Sequence, residues 1–455
     1  MSTRRTFTFW GTVGAVWTAL KLKKEYDDYR TVSTEDDPEP GRIHLPNTPL
    51  PREGGNGEDD VSLLDTNIRV RRQTKKPAGC CVCCGIDCTL FWKAFAFVLA
   101  LWSLFGLYKV ARWALTPTPS GLEGMPVFGE ALGCDHASTF YQDARDGYSL
   151  NATVPHGSHH IKLMGSGVGT LTVTTAPSDA TEIQYSIIMK GTDKPLLDLA
   201  KIELTETKFG STLEFDTPSI SKVDLQTGNK CVRFDIVLAV PPNLKELYIR
   251  GYSTLQVKFD DSVHFDLSRF SVMLFGKEMK NMILPTSNLH ASDNNYLEVF
   301  NGWIVGDVTV STETIINTQR ADGVANVKIY PASVEEAGEN KRAILRTATG
   351  SGRSDFFYIT DKSSKKRPIS SHHISARNGD VYLHYEQADF NGKIAMSSRS
   401  STIHGSVANL RPLSPRPRPP VTKREQAEEW THTRGNAEGG DKLWVESNGW
   451  TGLWF

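Results

Sequence analysis

Residues Leu90 to Tyr108 (LFWKAFAFVLALWSLFGLY) form a run of 19 residues that carries one charge, Lys93. At about 1.5 Å of rise per helical residue the run reaches roughly 28 Å, close to the hydrocarbon thickness of a bilayer. A core helix of a soluble domain ordinarily keeps a polar face, and this run has none. The run therefore predicts a transmembrane helix. Lys93 falls in its first turn, where the stem can snorkel to the headgroups. Trp92 at one end, with Tyr108 and Trp113 at the other, suits the interfacial aromatic belts.

Flanking charge predicts the orientation of that helix. Arg69, Arg71, Arg72, Lys75 and Lys76 precede it; Lys109 and Arg112 follow it, and no further Lys or Arg appears until Arg145. Positive charge stays on the cytosolic side, so the N-terminus is expected in the cytosol and the C-terminal part outside or in a lumen. A weaker apolar patch, Phe7–Leu20, follows Arg4 and Arg5. It is too short to span, and it reads as an amphipathic or disordered stretch, with a signal or transit segment as the alternative. Residues 31–60 are rich in Pro, Gly and acids and cannot bury enough surface to offset ordering entropy.

Five of the seven cysteines, Cys80, Cys81, Cys83, Cys84 and Cys88, crowd the cytosolic edge of the span. Juxtamembrane thiols are targets for S-acylation, and each buried methylene of an acyl chain contributes about 0.8 kcal/mol of membrane affinity. Cys81-x-x-Cys84 also has zinc-ligand spacing, but no His and no second ligand pair lies nearby. Cys134 and Cys231 are the two cysteines beyond the span. In an oxidising compartment they could pair or remain buried free thiols. Asn151-Ala-Thr153 is the one acceptor sequon beyond the anchor, which makes Asn151 a glycosylation candidate.

After residue 130 the chain is dominated by Val, Ile, Thr, Ser, Gly and Asn, which favours strands and turns. Cys231–Val240 (CVRFDIVLAV) alternates and stops at Pro241-Pro242, where the missing N–H ends a ladder. In Gly379–Tyr385 the side chains of Val381, Leu383 and Tyr385 share one face, and Tyr382 and His384 share the other. Gly-Asp-Val at 306–308 and 379–381 is expected to open strands in both places. The irregular spacing of these units predicts an all-β domain built as an irregular β-solenoid, or β-helix, with a β-sandwich as the competing architecture. Trp444, Trp450, Trp454 and Phe455 are expected to cap the β-core, with an exposed aromatic platform as the alternative.

The Gly-rich GSGVGTLTV, the VRFDIVLAVPPNLKELYI unit and the later GDV turns resemble the auto-transporter adhesin head (adhesin-like) domain family. The anchor-plus-domain layout, with FGKEMKNMILP, FNGWIVGDV and NGWTGLWF, is similar to uncharacterised fungal single-pass membrane proteins. The resemblance covers roughly residues 155–455. It implies a β-helical surface domain and supplies no catalytic residues.

No other motif carries chemistry strongly. His156, His159 and His160, and Asp260, Asp261, His264 and Asp266, form two clusters that could bind a cation if folded together, but neither has a known ligand spacing, so solvated loops are the expected reading. Gly165–Gly169 lacks the dinucleotide spacing and reads as a strand turn. Lys365-Lys366-Arg367 reads as a solvated loop and Arg411–Pro420 as a linker. A net charge of −1 gives no footprint for nucleic acid.

The layout expected is therefore a cytosolic, largely disordered tail over 1–78, a Cys-rich collar over 79–89, a transmembrane helix over 90–108 and a stalk or linker over 109–130. An extracytoplasmic β domain follows over 131–455, with an inserted Pro-rich loop at 411–440. The expected role is binding or structural at a membrane or cell surface, with membrane lipid and a surface polysaccharide or protein as partners. No catalytic, cofactor or metal residue is nominated. The alternatives are a membrane-tethered carbohydrate-active enzyme on a β-helix and a cytosol-facing scaffold of reversed topology.

Overall fold

The computed structural model describes residues 9–30, 82–83, 86–115, 119–130, 132–221, 224, 230–261, 264–318, 322–333, 342–360, 365–410 and 430–455. The chain divides into two compact units, Met1–Thr118 and Pro119–Phe455.

In the first unit, helix α1 (Phe9–Arg30) packs on helix α2 (Cys88–Leu115). Phe9 meets Phe95 and Trp102 edge-on at 5.8 and 5.6 Å between ring centroids. Val13, Ala94 and Val98 are buried beside them. The patch at Phe7–Leu20, expected within a disordered tail, is thus helical from Phe9 onward. Good helix formers run from Ala19 to Glu25, and the aromatic contacts to α2 supply what the weak local pattern does not. Within α2, Phe91–Arg112 is long and apolar enough to cross a membrane. Most of its large side chains are exposed, Trp92 at 62% and Leu107 at 65% among them, which would be costly in water. Cys80, Cys81 and Cys84 lie outside the described residues. Cys83 sits in a short antiparallel pair, Val82–Cys83 with Ile86–Asp87, and Cys88 opens α2.

The second unit is a parallel β-solenoid of two-strand coils. One ladder stacks Ser158–Met164, Glu246–Gly251, Phe265–Leu274, Leu289–Val299, Glu313–Thr318, Ala343–Thr349 and Ile369–Ser375. The other stacks Val168–Thr175, Thr254–Phe259, Asn281–Leu284, Gly302–Val310, Val324–Pro331, Ser354–Ile359 and Val381–Gln387. Parallel neighbours throughout these ladders set aside the β-sandwich, whose strands run antiparallel. Alternation sets the two faces: Val381, Leu383 and Tyr385 are buried in the core, whereas Tyr382 and His384 face outward.

Coil length varies because loops of different size sit between strands. Asn294 pairs with Glu313, yet Glu313 pairs with Ile344. No strict repeat can appear in the sequence for that reason. Turns approach through glycine: a Cβ on Gly379 would lie 2.3 Å from the Gly350 carbonyl oxygen, and one on Gly449 would lie 2.4 Å from that of Gly379. Gly379-Asp380-Val381 leads into a strand, as the sequence suggests. Gly306-Asp307-Val308 does not; it lies inside Gly302–Val310.

Both ends depart from simple stacking. At the start, Val232–Val240 inserts between Val168–Thr175, to which it is parallel, and Ile183–Gly191, to which it is antiparallel. The hairpin Lys201–Thr207 and Gly210–Asp216 closes the other ladder. At the far end, Asp441–Trp454 pairs in parallel with the coil Ile369–Gln387 on one side and with Gly392–His404 on the other. The strand later in sequence is therefore interior to the one before it. Asp441 anchors its start. This buried carboxylate accepts from Lys366 Nζ at 2.7 Å, Asn391 N at 2.7 Å and Ile369 N at 3.0 Å. Lys366 and the buried Arg367 are thus structural, not a solvated loop.

Two further expectations change. Residues 119–130, assigned to a stalk, belong to the β unit: Leu122, Met125 and Phe128 cover Met282, Trp303 and Val324. Arg353 Nη1 donates to the Pro119 carbonyl at 2.5 Å, and Gly129 N donates to Gln256 Oε1 at 2.6 Å. Of the loop expected at 411–440, residues 411–429 lie outside the described residues. His432–Arg434 pairs with the strand beginning at Gly392.

The core is mostly apolar in the early coils, His159 and Ser211 being polar there, and more polar in the late ones, where Thr314, Thr347 and His373 face inward. His373 is bonded to Thr347 Oγ1 and to Tyr358 OH, each at 2.7 Å. Near the other end, His159 is bonded to Ser211 Oγ at 2.7 Å and to Tyr185 OH. Burial first, and a neighbouring imidazole second, holds each ring down to a pKa of about 3.

Candidate functional site

The late coils present an aromatic surface on the outer face of the second ladder. Parallel register places Phe357, His384, Trp454 and His404 in one outward row. Adjacent strands lie about 4.8 Å apart, so flat rings in such a row stack at that spacing. Phe357 and His384 stack at 4.5 Å, His384 and Trp454 at 4.6 Å, and Trp454 and His404 at 5.4 Å, with interplanar angles of 10°, 14° and 13°.

The neighbouring row holds Asp355, Tyr382, Gly452 and Thr402. Gly452 makes space for both flanking indoles, since a Cβ there would come 2.2 Å from Trp454 and 2.4 Å from Trp450. Tyr382 lies 4.9 Å from Trp450 and 5.8 Å from Trp454 between centroids. Arg353 sits over the Tyr382 ring at 3.8 Å and grips Asp355 with two bonds of 2.7 Å. Trp444, Trp450 and Trp454 thus face outward while Leu443, Val445 and Leu453 fill the core. The expectation that these tryptophans cap the core is corrected. Both faces of that strand carry large apolar side chains, so alternation alone could not say which tryptophans or leucines point in.

Electrostatically the face is mild. Burial lowers the His384 pKa, opposed by Asp355 and Glu386, so the ring is neutral at neutral pH. Burial raises the Asp355 carboxyl despite the Arg353 hydrogen bonds. His384 Nε2 lies 4.0 Å from Asp355 and Nδ1 lies 3.7 Å from Glu386, too far for a hydrogen-bonded proton relay. What the arrangement offers chemically is a rigid aromatic strip bordered by charge, in which the stacked rings cover one another's faces and turn their edges outward.

The residues nominated from sequence lie elsewhere. Cys134 and Cys231 form a disulfide with Cα atoms 5.8 Å apart, joining the lead-in to the inserted strand Val232–Val240. Asn151 is exposed on Tyr148–Ala152. The histidines at 156–160 are not brought together: His159 is interior, His160 stacks outward on Tyr248 at 4.5 Å, and His156 sits in a turn. His264 packs against His290 at 4.7 Å. Among the described residues no group of three His, Cys, Asp or Glu side chains is placed to share a metal. Gly165–Gly167 is a strand turn, with Gly167 N donating to Thr217 Oγ1 at 2.7 Å.

No known protein family and no curated protein matches the chain. A solved structure described as a "putative cell adhesion protein from Clostridium sporogenes" is similar at 11% identity, over 68% of this chain and 98% of that one, with a TM-score of 0.17. At that score the likeness carries no argument. The adhesin-like and fungal resemblances rest on the residues quoted above.

Proposed function

We propose that the chain is a single-pass membrane protein whose β-solenoid binds a glycan chain through the outer face of its late coils. The observation that carries this reading is the outward stack Phe357–His384–Trp454–His404, flanked by Tyr382 and Trp450. Sugar rings present apolar C–H faces and polar edges, and this surface offers a strip of aromatic edges, the Trp450 ring tilted 57° and 61° from its neighbours, and the charged groups Arg353 and Glu386. The stack is preorganised by its strands, so little side-chain entropy is lost on binding. The role is binding rather than catalysis.

α2 supplies the anchor. The charge asymmetry around it favours a cytosolic N-terminus and a β unit on the other side, at the cell surface or in the secretory pathway. The Cys134–Cys231 disulfide and the exposed Asn151 sequon suit that side. The collar cysteines, acylated, would reinforce the anchor against membrane lipid.

The test is retention of the full chain, in nanodiscs, on insoluble polysaccharides. Trp450→Ala with Trp454→Ala should abolish retention while the β-sheet circular dichroism persists. Equal retention by the folded double variant, or none by the wild type on any polysaccharide, would overturn the reading. Protease protection on intact membranes checks the orientation.

A further inference from the structure

The outer face of the first ladder carries a different feature, a gap in a row of rings. Register aligns His160, Tyr248, Ser271 and Tyr296 across successive coils. His160 and Tyr248 stack at 4.5 Å and 11°. The next position is a serine, and the one after it is again a tyrosine. The strands bearing Tyr248 and Tyr296 are two ladder steps apart, about 9.6 Å, with one short side chain between them. The result is an open slot of about 500 Å³ lined by Tyr248, Arg269, Ser271, Asp293, Asn294 and Tyr296.

Each wall is fixed. The Tyr248 hydroxyl donates to Glu246 Oε2 at 3.3 Å, and Glu246 pairs with Arg269 at 3.4 Å. The Tyr296 hydroxyl donates to Glu298 Oε2 at 2.9 Å, and Glu298 is itself only 4% exposed. The floor is unfinished. Ser271 is 6% exposed, and its Oγ has no hydrogen-bond partner. A buried hydroxyl left unpaired is destabilising unless something supplies the bond.

We propose that this slot is a binding site for one pyranose ring of a neutral saccharide, which takes the vacant place in the row. The tyrosines receive its C–H faces, Ser271 Oγ, shielded from solvent in this structure, turns about χ1 to bond a ring hydroxyl, and Asp293 and Asn294 accept and donate at the rim. A flat aromatic ligand of similar size would leave Ser271 unpaired and desolvate Asp293 without compensation. The site lies on the opposite ladder from the stack proposed above to bind glycan and does not depend on it.

The experiment is saturation-transfer NMR on the full chain in nanodiscs, with methyl glycosides of glucose, galactose, mannose and N-acetylglucosamine as probes. At least one should bind. Ser271→Ala should weaken it about tenfold, the loss of one good hydrogen bond. Ser271→Tyr places a ring in the gap and should abolish binding. If Ser271→Tyr does not fold, Tyr248→Ala and Tyr296→Ala read the same walls, and each should abolish the signal. No binding of any probe by the wild type overturns the proposal, as does wild-type binding by folded Ser271→Tyr or by both alanine variants. The slot is read by methyl glycosides and the aromatic face by polysaccharide retention, so the two readings fail separately.

Discussion

Lowering the pH from about 7 to about 5 should loosen the solenoid at both ends and spare its middle. His159 and His373 are buried neutral near opposite ends, each with a folded pKa of about 3 against 6.5 when exposed. Because the folded value is depressed, the stabilisation is complete above 6.5 and is lost as pH falls toward 3, where the unfolded ring takes up a proton that the folded one refuses. At about pH 5 the unfolded ring has gained roughly 1.5 pH units of protonation free energy, so each histidine costs about 2 kcal/mol. Stacked coils contribute nearly additively through their neighbours, so the loss is felt locally rather than as one global transition. Pulsed hydrogen exchange with mass spectrometry on the full chain should show reduced protection at Ser158–Met164 and Ile369–Ser375 at the lower pH, after correction for intrinsic exchange. Peptides from Leu289–Thr318 should change little. A His373→Asn variant should be weaker at neutral pH but should lose the largest part of the acid response at its own end, where the half-buried His372 and His384 supply the remainder. Equal corrected protection at both pH values, or an imidazole resonance for His373 titrating near 6.5, would refute the reasoning.

Reducing the Cys134–Cys231 disulfide, or replacing both residues with serine, should cost about 4–5 kcal/mol in the chain-entropy model for a separation of 97 residues. The denaturation midpoint with and without reductant measures this, and an unchanged midpoint argues against it. Asp441→Ala leaves Lys366 Nζ and two backbone N–H groups without their acceptor, and should destabilise the late coils by about 3–5 kcal/mol. Limited proteolysis should then cut first within 388–454. Hydroxylamine-dependent acyl exchange should label the cysteines at 80–88; no label above that of a variant with serine at all five positions would dismiss acylation.

The elements most readable in the sequence are those whose cause is local. The apolar run at Leu90–Tyr108 announces a helix by length alone. Val240 ends its strand because Pro241 has no N–H to donate. The alternation at Val381, Leu383 and Tyr385 marks an inner face before any neighbour is known. What stayed hidden depends on partners distant in sequence. Leu122, Met125 and Phe128 look like incidental apolar residues in a linker until Met282, Trp303 and Val324 are seen facing outward and needing cover. α1 depends in the same way on Phe95 and Trp102. The aromatic site is half readable. The spacing Trp450-x-Gly452-x-Trp454 puts the two indoles on one face, but only register adds Phe357, His384 and His404 to them.

The insertion of Asp441–Trp454 between two parallel neighbours has a mechanical consequence. A solenoid pulled from one end usually peels, losing one coil edge at a time, because each outermost strand is held along a single side. Tension on Phe455 acts on a strand bonded along both of its edges, to Ile369–Gln387 and to Gly392–His404. The pull runs along the strand, so both rows of hydrogen bonds must shear together before it slides free. A domain tethered at one end and tugged at the other would resist rupture there more strongly than the number of its coils suggests.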